Sequence, residues 1–237
     1  MKATSKTVAV LSRYTPWHRA IDLSAIALFG ALFLWNLARL AAGLGHSGQI
    51  WLIGTTALAA WLAVDLLSGV VHWAFDTWGS VRTPLVGARY IRPFREHHWD
   101  PHAMTRHDFV ETNGSSCVGA LPLLGMAALL PVAAPGPAVA HALLVFIALG
   151  VLITNQCHKW AHLPREDTPR PVRLAQRLRL ILRPEDHLRH HVRPFDSHYC
   201  TAAGWLNRPL AAVGFFRALE RVIGALTRSC AREDDLA

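Results

Sequence analysis

Histidines recur through the sequence at spacings that suit metal binding. The stretch PEDHLRHHV contains His187, His190 and His191, and the stretch NQCHKWAH contains His158 and His162. Imidazoles four residues apart project from the same face of a helix, so both stretches can direct two rings at one ion. With 14 histidines in 237 residues, the chain has far more imidazole than most proteins of its size, and metal binding is the chemistry we expect.

A third group lies in FREHHWDPHAMTRHDFVETNG, which contains His97, His98, His102 and His107. Pro101 interrupts any long helix there, so the group is predicted to form a loop or two short turns.

The fourth group is DLLSGVVHWAFDTWG. Asp65, His72 and Asp76 are seven and then four residues apart, so they share one helical face. Asp65 lies inside an otherwise apolar stretch, where a carboxylate is costly and is a functional candidate. The alternative is that Asp65 is hydrogen-bonded inside a helix bundle for structural reasons.

The supply of ligands is enough for two metal ions. A zinc site needs three or four ligands, and the sequence has no HExxH motif of a zinc protease. Bis-histidine haem would need ligands within facing membrane helices, whereas these histidines fall at helix ends. Imidazole suits iron, zinc and copper alike. Carboxylates that could bind the metal or orient its imidazoles are Asp65, Asp76, Asp108 and Glu111.

Four apolar stretches must position these groups. The chain is 52% hydrophobic, and residues 21–45, 50–75, 116–134 and 138–156 are each close to the length of a membrane-spanning helix. The links at 46–49 and 135–137 are very short and predict two helical hairpins. We therefore expect an all-α integral membrane protein with four spans. A soluble helical protein would not explain how the charges are distributed.

Basic residues predict the orientation. Of the 24 Lys and Arg residues, 23 lie in segments 1–20, 73–114 and 157–237, and Arg39 near the outer end of the first span can snorkel. The positive-inside rule then places both termini and the histidine groups in the cytoplasm, at the inner membrane if the host is bacterial. A metal cluster there faces the headgroup end of a lipid chain. Breaking an unactivated C–H bond at that place needs a strong oxidant, such as a diferrous pair with dioxygen, and redox-inert zinc could not supply it.

The predicted organisation is an N-terminal segment 1–20, one domain over 21–228 and a tail at 229–237. The cytoplasmic cap comprises 76–115 and 157–228. Within it, RPVRLAQRLRLILRP predicts an interfacial amphipathic helix attracted by anionic lipid. Its apolar face is Leu174, Leu178, Ile181 and Leu182, flanked by Arg173, Arg177 and Arg179. The stretch 209–228 is either a second such helix or a helix packed on the cap.

Other features carry little functional signal. The four cysteines, Cys117, Cys157, Cys200 and Cys230, form no CxxC pair and are expected to be ordinary thiols. The first twenty residues do not resemble a secretory signal peptide, and no aromatic-basic motif suggests nucleic-acid binding. His18, His46 and His141 are expected to be surface or packing residues.

Four of these strings together resemble one known family. SGVVHWAFDTWGS, FREHHWDPHAMTRHDFVETNG, TNQCHKWAH and HLRHHVRPFDSHYCTAAGWLN are similar, in order and spacing, to the Kua/CarF-type lipid desaturases, over roughly residues 50–210. That family includes plasmanylethanolamine desaturases and plastid phosphatidylglycerol desaturases. The middle box is His97-His98 rather than the HxxHH common in acyl-CoA desaturases, which favours this family over the broader one.

The resemblance implies a di-iron site and a reaction. The implied iron ligands are His72, His97, His98, His107, His158, His162, His187, His190 and His191, with Asp76 as a ligand or as a residue that orients one. His102 and His198 are not firm parts of the motif. A plasmanylethanolamine desaturase would convert a 1-O-alkyl chain to a vinyl ether with O2 and two electrons from a carrier such as cytochrome b5 or a ferredoxin. Arg92, Arg95 and Arg106 could hold the lipid phosphate or dock the carrier, or could be no more than positive-inside charge.

Two alternatives remain open from the sequence. The first is a desaturase or hydroxylase that acts on an ester-linked acyl chain, since nothing in the sequence selects ether over ester. The second is a membrane metal transporter or sensor without catalysis, which would place polar ligands along a path through the bilayer. Only Asp65 and His141 interrupt the apolar spans, which disfavours a transport path.

Overall fold

The computed structural model describes residues 14–47, 51–229 and 231, with side chains described outside 44–52. Within these ranges the chain is helical and contains no strand, which confirms the all-α prediction. In chain order the first elements are α1 (Pro16–Ser47), α2 (Trp51–Thr77), a π-helical turn (Gly87–Ile91), α3 (Arg92–Glu96), a 3-10 turn (Ala103–Arg106), α4 (Phe109–Leu129) and α5 (Pro135–His162). The remaining helices are α6 (Arg170–Arg177), α7 (Pro184–His187), α8 (Asn207–Ala212) and α9 (Phe215–Thr227).

Three helices of the described residues are long and apolar enough to cross a membrane. They are Pro16–Gly43 in α1, Ile53–Thr77 in α2 and the whole of α5. The fourth predicted span corresponds to α4, which is not among these three because its first two turns are polar. The structure therefore shows a membrane protein by its apolar helices, while the count of four spans stays a prediction.

The polar start of α4 is paired with the polar end of α5. Asp108 caps α4 by accepting the backbone N–H of Glu111 at 3.0 Å. One turn further, the Asn155 amide of α5 donates to the Thr112 carbonyl at 3.2 Å and to the Ser116 hydroxyl at 2.9 Å. These bonds allow helix to form from residue 109, seven residues before the apolar stretch begins.

α1 packs mainly against α4, and α4 and α5 form a helical hairpin. The Asn36 amide of α1 donates to the Leu124 carbonyl at 3.2 Å, and Arg39 donates to the carbonyls of Ala128 and Leu130 at 2.7 and 2.8 Å. Arg39 thus satisfies the exposed carbonyls at the end of α4 and is not simply a snorkelling residue. The second predicted hairpin is formed, whereas among the described residues α1 packs mainly against α4 and less against its sequence neighbour α2.

Close helix contact elsewhere depends on small residues. A Cβ at Gly150 of α5 would lie 2.5 Å from a methyl group of Val64, so glycine lets α2 and α5 approach each other. At the cytoplasmic end of the bundle in the predicted orientation, Phe216 of α9 packs in a buried cluster with Trp73 and Tyr199. α9 is therefore packed on the cap through Phe216, while Val222 and Leu226 remain exposed.

The predicted amphipathic helix is shorter than the sequence suggested. α6 ends at Arg177, and Arg179 adopts a left-handed conformation with φ of 58° that terminates the helix, with the Leu180 N–H donating to the Ala175 carbonyl at 2.9 Å. Leu174 and Leu178 are exposed as expected for an interfacial face, but Leu182 is fully buried. The prediction that Leu182 shares this face was wrong, because its backbone N–H bonds to the Ala202 carbonyl at 2.8 Å and directs the side chain inward.

The histidines expected to be surface or packing residues, and the cysteines expected to be free thiols, are so wherever the structure describes them. His141 is fully buried, with its ring nitrogens 2.9 Å from the Ala127 carbonyl and 3.1 Å from the Asn36 carbonyl. His18 contacts the Thr15 hydroxyl at 3.1 Å near the start of α1. The side chain of His46 and all of Cys230 lie outside the described residues, and the free, buried thiols are Cys117, Cys157 and Cys200.

Candidate metal centre

Imidazoles from four separate segments meet at one end of the bundle. The last turns of α2 and α5 carry one histidine and two histidines respectively, the residues after α3 carry two, and the α7 region carries three. The eight histidines that converge are His72, His97, His98, His158, His162, His187, His190 and His191.

The first of two groups consists of five histidines whose candidate ligand atoms all lie within 4.8 Å of one another: His97, His158, His162, His187 and His191. The Nε2 atom of His187 is at the centre of this group. It lies 2.8 Å from Nε2 of His158, 2.9 Å from that of His162 and 3.1 Å from that of His191. The i and i+4 spacing of His158 and His162 on α5 places both rings on the side that faces α7.

The second group contains His72, His97, His98 and His190, again with all candidate atoms within 4.8 Å. The Asp76 carboxylate lies among them. Its Oδ2 is 3.0 Å from Nε2 of His98, 3.3 Å from Nε2 of His72 and 3.4 Å from Nε2 of His190. His97 belongs to both groups, so the two clusters are adjacent.

Backbone carbonyls determine which nitrogen of three rings carries the proton. Nδ1 of His72 faces the Tyr199 carbonyl at 3.1 Å, Nδ1 of His190 faces the Ser197 carbonyl at 2.8 Å, and Nδ1 of His97 faces the Phe94 carbonyl. A carbonyl only accepts, so each Nδ1 must donate and each Nε2 is left with a lone pair. This second-atom hydrogen bond is usual for histidines that bind metals.

No hydrogen-bond donor faces the Nε2 lone pairs of these three rings among the described residues. Nε2 of His72, His97 and His190 is buried and has no hydrogen-bond partner among the residues that the structure describes. Lone pairs that converge beside a buried carboxylate repel one another unless a cation lies between them. The donor set therefore fits one or two metal ions.

The electrostatics keep these rings neutral, as metal binding requires. Burial, reinforced by the neighbouring imidazoles, holds the pKa of His97 and of His187 well below the ordinary value of 6.5. The same causes lower the pKa of His191 to about 2. A crowded, desolvated set of imidazoles thus resists protonation and remains available to a cation.

Asp65 holds the loop that follows the last histidine box. Fully buried in α2, it accepts backbone N–H groups of Ala203 and Gly204 at 2.9 and 2.8 Å through Oδ1, and of Leu206 at 3.0 Å through Oδ2. The loop is thereby held along α2, where the Tyr199 carbonyl reaches His72. Asp65 supports the site from a distance, which is the structural alternative raised by the sequence.

The side chain of Arg95 is buried, although a charged residue in this segment was expected to lie at the surface. Its side chain is 1% exposed and donates to the carbonyls of Phe75, Trp78 and Gly79 at 3.1, 3.0 and 2.9 Å. It thus satisfies the carbonyls at the end of α2 and ties the segment of His97 to that helix. It is not placed to hold a lipid phosphate.

The remaining predicted residues lie elsewhere. His107 is in neither group; its Nε2 is 3.6 Å from Glu111. Asp108 caps α4 and pairs with Arg19 at 2.7 Å. Of the surface cations, Arg106 pairs with Asp100 at 2.7 Å and Arg92 donates to the Ala88 carbonyl at 3.1 Å.

Sequence reasoning missed the residues that support the site through backbone atoms. The carbonyls of Phe94, Ser197 and Tyr199 orient three rings, and any residue type offers a carbonyl. Asn207 bonds to both backbone groups of Cys200, at 2.8 and 2.9 Å. Its place in the string GWLN, which the family resemblance already covered, was the one available signal.

A helical membrane protein with two adjoining imidazole clusters at the ends of its apolar helices belongs to the class of histidine-box membrane proteins, whose clusters could hold metal ions. Comparison with known proteins is consistent with that class and narrows it. The lipid desaturase domain family matches residues 61–234. The chain belongs to this family, which confirms the family predicted from its motifs.

Two relatives match almost the whole chain. Plasmanylethanolamine desaturase from Myxococcus xanthus is 42% identical over 99% of this chain and 83% of the relative. Plasmanylethanolamine desaturase 1 from Mus musculus is 41% identical over 94% of this chain and 83% of the relative. Fatty acid desaturase 4, chloroplastic, from Arabidopsis thaliana is 33% identical over 69% of this chain and 49% of the relative. No solved structure shows a significant match. The protein is therefore an oxidoreductase that desaturates lipids.

Proposed function

We propose that this protein is an O2-dependent di-iron plasmanylethanolamine desaturase. The observation that carries the proposal is the convergence of eight buried or half-buried imidazoles into two adjoining groups, in a chain with over 40% identity to two plasmanylethanolamine desaturases. The reaction removes two hydrogens from the first two carbons of a 1-O-alkyl chain. The balanced reaction converts R–O–CH2–CH2–R′ to R–O–CH=CH–R′. It consumes one O2, two electrons and two protons and releases two waters.

The chain's own residues would hold two iron ions. The group of His158, His162, His187 and His191 forms one site, the group of His72, His98 and His190 with Asp76 forms the other, and His97 reaches both. When bound, the iron pair supplies the oxidation of an unactivated C–H bond, which protein side chains alone cannot perform. The carbonyls of Tyr199, Ser197 and Phe94 keep the ligand tautomer, and burial of the rings excludes water.

The membrane arrangement completes the proposal. We place four spans in the bilayer, with α4 as the fourth. We put both termini and the metal centre in the cytoplasm, because the segments that contain them, 1–20, 73–114 and 157–237, carry 23 of the 24 Lys and Arg residues. The first carbons of a lipid chain lie just below the headgroups, the depth at which the ends of α2 and α5 carry their histidines. Electrons come from an external carrier such as cytochrome b5 or a ferredoxin.

The test is lipid mass spectrometry on a plasmalogen-free host that expresses the chain and is fed an alkylglycerol. The proposal expects an acid-labile vinyl ether that is absent without the chain and absent for His187→Ala and His191→Ala. New double bonds only in ester-linked acyl chains would replace the proposal with the acyl desaturase alternative, which the likeness to the plant fatty acid desaturase favours. Metal uptake without a change in any lipid would favour the non-catalytic alternative.

A further inference from the structure

Exposed apolar side chains border the metal centre. Trp99, Leu188 and Val192 are 55%, 66% and 64% exposed, and each directly follows a histidine of the two metal groups in the sequence. None of the three was a candidate site residue from the sequence, and the proposed reaction has not assigned them a role. Large apolar side chains left in water next to a functional centre indicate an interaction surface if they are contiguous.

Contacts between the two segments make the surface contiguous. The Arg193 guanidinium lies 5.8 Å from the centre of the Trp99 ring and 5.7 Å from that of the Phe195 ring, so two aromatic faces hold this cation in place. The Val192 N–H donates to the Arg189 carbonyl at 3.4 Å, which brings a second arginine to the same turn. The set that we call the Trp99 patch is Trp99, Leu188, Arg189, Val192 and Arg193.

One histidine of each metal group adjoins the Trp99 patch. His98 of the second group directly precedes Trp99, and its ring lies 4.6 Å from that of Phe195. His191 of the first group directly precedes Val192, and its ring lies 5.2 Å from that of His98. A protein that docks on the patch would therefore be separated from either metal group by little more than one imidazole.

The patch lies on the side of the metal centre that is further from the apolar spans. The His191 ring is 4.8 Å from that of His162, the last residue of α5. One turn further into the bundle, His158 of α5 instead contacts His72 of α2, with 5.4 Å between the rings. In the proposed orientation the Trp99 patch thus faces the cytoplasm.

The patch carries positive charge that its neighbours do not neutralise. Arg189 and Arg193 are exposed, and neither forms an ion pair with any residue in the ranges that the structure describes. The aspartates nearest to them in sequence pair with other arginines. These pairs are Asp100 with Arg106 at 2.7 Å, Asp186 with Arg183 at 2.8 Å and Asp196 with Arg217 at 2.7 Å. The charge that complements this surface is negative.

A tryptophan flanked by arginines matches the composition of protein-binding surfaces. Aromatic and arginine side chains are enriched where two proteins meet, and a few of them carry most of the binding energy. A small patch of this kind suits a brief encounter, in which charge speeds association and the contact area stays low. The proposed reaction needs such encounters, because it takes two electrons from outside the chain for each O2 consumed.

We propose that the Trp99 patch docks the reduced form of an acidic one-electron carrier protein. Trp99 is the apolar centre of the contact, and Arg189 and Arg193 attract the carboxylates of the carrier. Each encounter delivers one electron, so two reduced carriers are oxidised for each vinyl ether formed. The inference rests on the proposed function for the need for electrons, and it assigns their entry to residues outside the metal ligands.

The test measures binding and not turnover. Full-length protein in nanodiscs of phosphatidylcholine is immobilised, and carriers are titrated by biolayer interferometry at low ionic strength. The acidic probes are the soluble haem domain of cytochrome b5 and a plant-type ferredoxin, and the control is cytochrome c, a basic one-electron carrier of similar size. At least one acidic carrier should bind, cytochrome c should not, and added salt should weaken the binding.

Matched variants locate the docking surface. The double variant Arg189→Gln/Arg193→Gln should bind the acidic carrier about tenfold more weakly, since each exposed charge contributes about threefold. Its control, Arg177→Gln/Arg208→Gln, removes two exposed charges outside the patch and should bind like the wild type.

The apolar centre has its own pair of variants. Trp99→Ala should weaken binding by about tenfold, whereas Phe109→Ala, which removes an aromatic ring that is 56% exposed outside the patch, should not. Metal content and melting temperature are measured for every variant, so that loss of fold is recognised.

The inference is overturned if neither acidic carrier binds, or if cytochrome c binds as tightly as they do. Equal affinities of the two double-arginine variants would overturn it as well, and so would unchanged binding by Trp99→Ala, the result expected if these side chains lay in the lipid. The proposed function fails separately: patch-dependent carrier binding by a protein that forms no vinyl ether in the feeding experiment would leave the docking surface assigned and the reaction refuted.

Discussion

Asp65 is the buried group whose replacement tests most quantitatively how the site is held. It accepts three backbone N–H groups from residues 203–206, and the neighbouring Ser68 hydroxyl accepts a fourth, from Thr201, at 3.0 Å. We expect Asp65→Asn to destabilise the protein and to reduce its metal content, because the loop that these bonds fix also carries the carbonyl that orients His72.

The magnitude follows from the geometry. An asparagine keeps one oxygen for Ala203 and Gly204 but turns its NH2 group toward the N–H of Leu206, so one charge-assisted bond is lost and two donors face each other. At ~1.5–3 kcal/mol for such a bond, the cost is about 2–4 kcal/mol. At about 2–4 °C per kcal/mol for a chain of this size, the melting temperature should fall by roughly 4–16 °C.

The assay is thermal unfolding of the metal-loaded protein in detergent, followed by tryptophan fluorescence. Ser68→Ala is the matched control, because it loses only neutral hydrogen bonds: the one from the Thr201 N–H, worth about 1 kcal/mol, and a local one to the Asp65 carbonyl. Asp65→Ala, which leaves all three N–H groups buried without an acceptor, should be the least stable of the three variants. A melting temperature of Asp65→Asn equal to that of Ser68→Ala, or a wild-type metal content in Asp65→Ala, would refute this account of the loop.

Three further outcomes follow from the site. Asp76→Asn should weaken metal binding by about 10–100-fold, measured by competition with a chelator, because Oδ2 of Asp76 lies within 3.4 Å of three Nε2 atoms. His107→Ala should retain wild-type metal content, measured by elemental analysis, because His107 is in neither group. Chelator-treated protein should melt at progressively lower temperature as the pH falls below 6.5, measured by calorimetry. Burial lowers the pKa of His97, His187 and His191 in the folded state, so the unfolded chain binds more protons.

Each of these can fail in its own way. Unchanged affinity in Asp76→Asn would remove that carboxylate from the metal environment, and loss of metal in His107→Ala would restore His107 as a ligand. A melting temperature that rises on acidification of the metal-free protein would contradict the neutral state of the clustered imidazoles.

Much of the site was predictable because helix periodicity is a local property. The spacing of His158 and His162 on α5 already implied that both rings point one way. The helix ends at His187, so His191 reaches the same place through the turn that follows, and the structure joins the two pairs. The lengths of the apolar stretches likewise predicted the long helices. The predicted ligand set differs from the convergent one at a single member, His107, whose place in the motif gave no sign that its ring faces Glu111.

The rest depended on partners far away in the chain. Asp65 could be recognised as costly, but the backbone groups that it accepts come from residues 203–206. Arg95 resembled a surface cation because nothing local revealed that the end of α2 needs a donor for its carbonyls. The polar start of α4 was excluded from the apolar stretch, since only packing against Asn155 of α5 makes it helical and satisfied.

The central claim is that two adjoining imidazole groups hold two iron ions. The most direct measurement is elemental analysis, with Mössbauer spectroscopy, of full-length protein purified without oxygen. The account predicts about two irons per chain, consistent with the two groups, and a loss from both sites in His97→Ala, since His97 belongs to both. A single zinc per chain with no iron would contradict it.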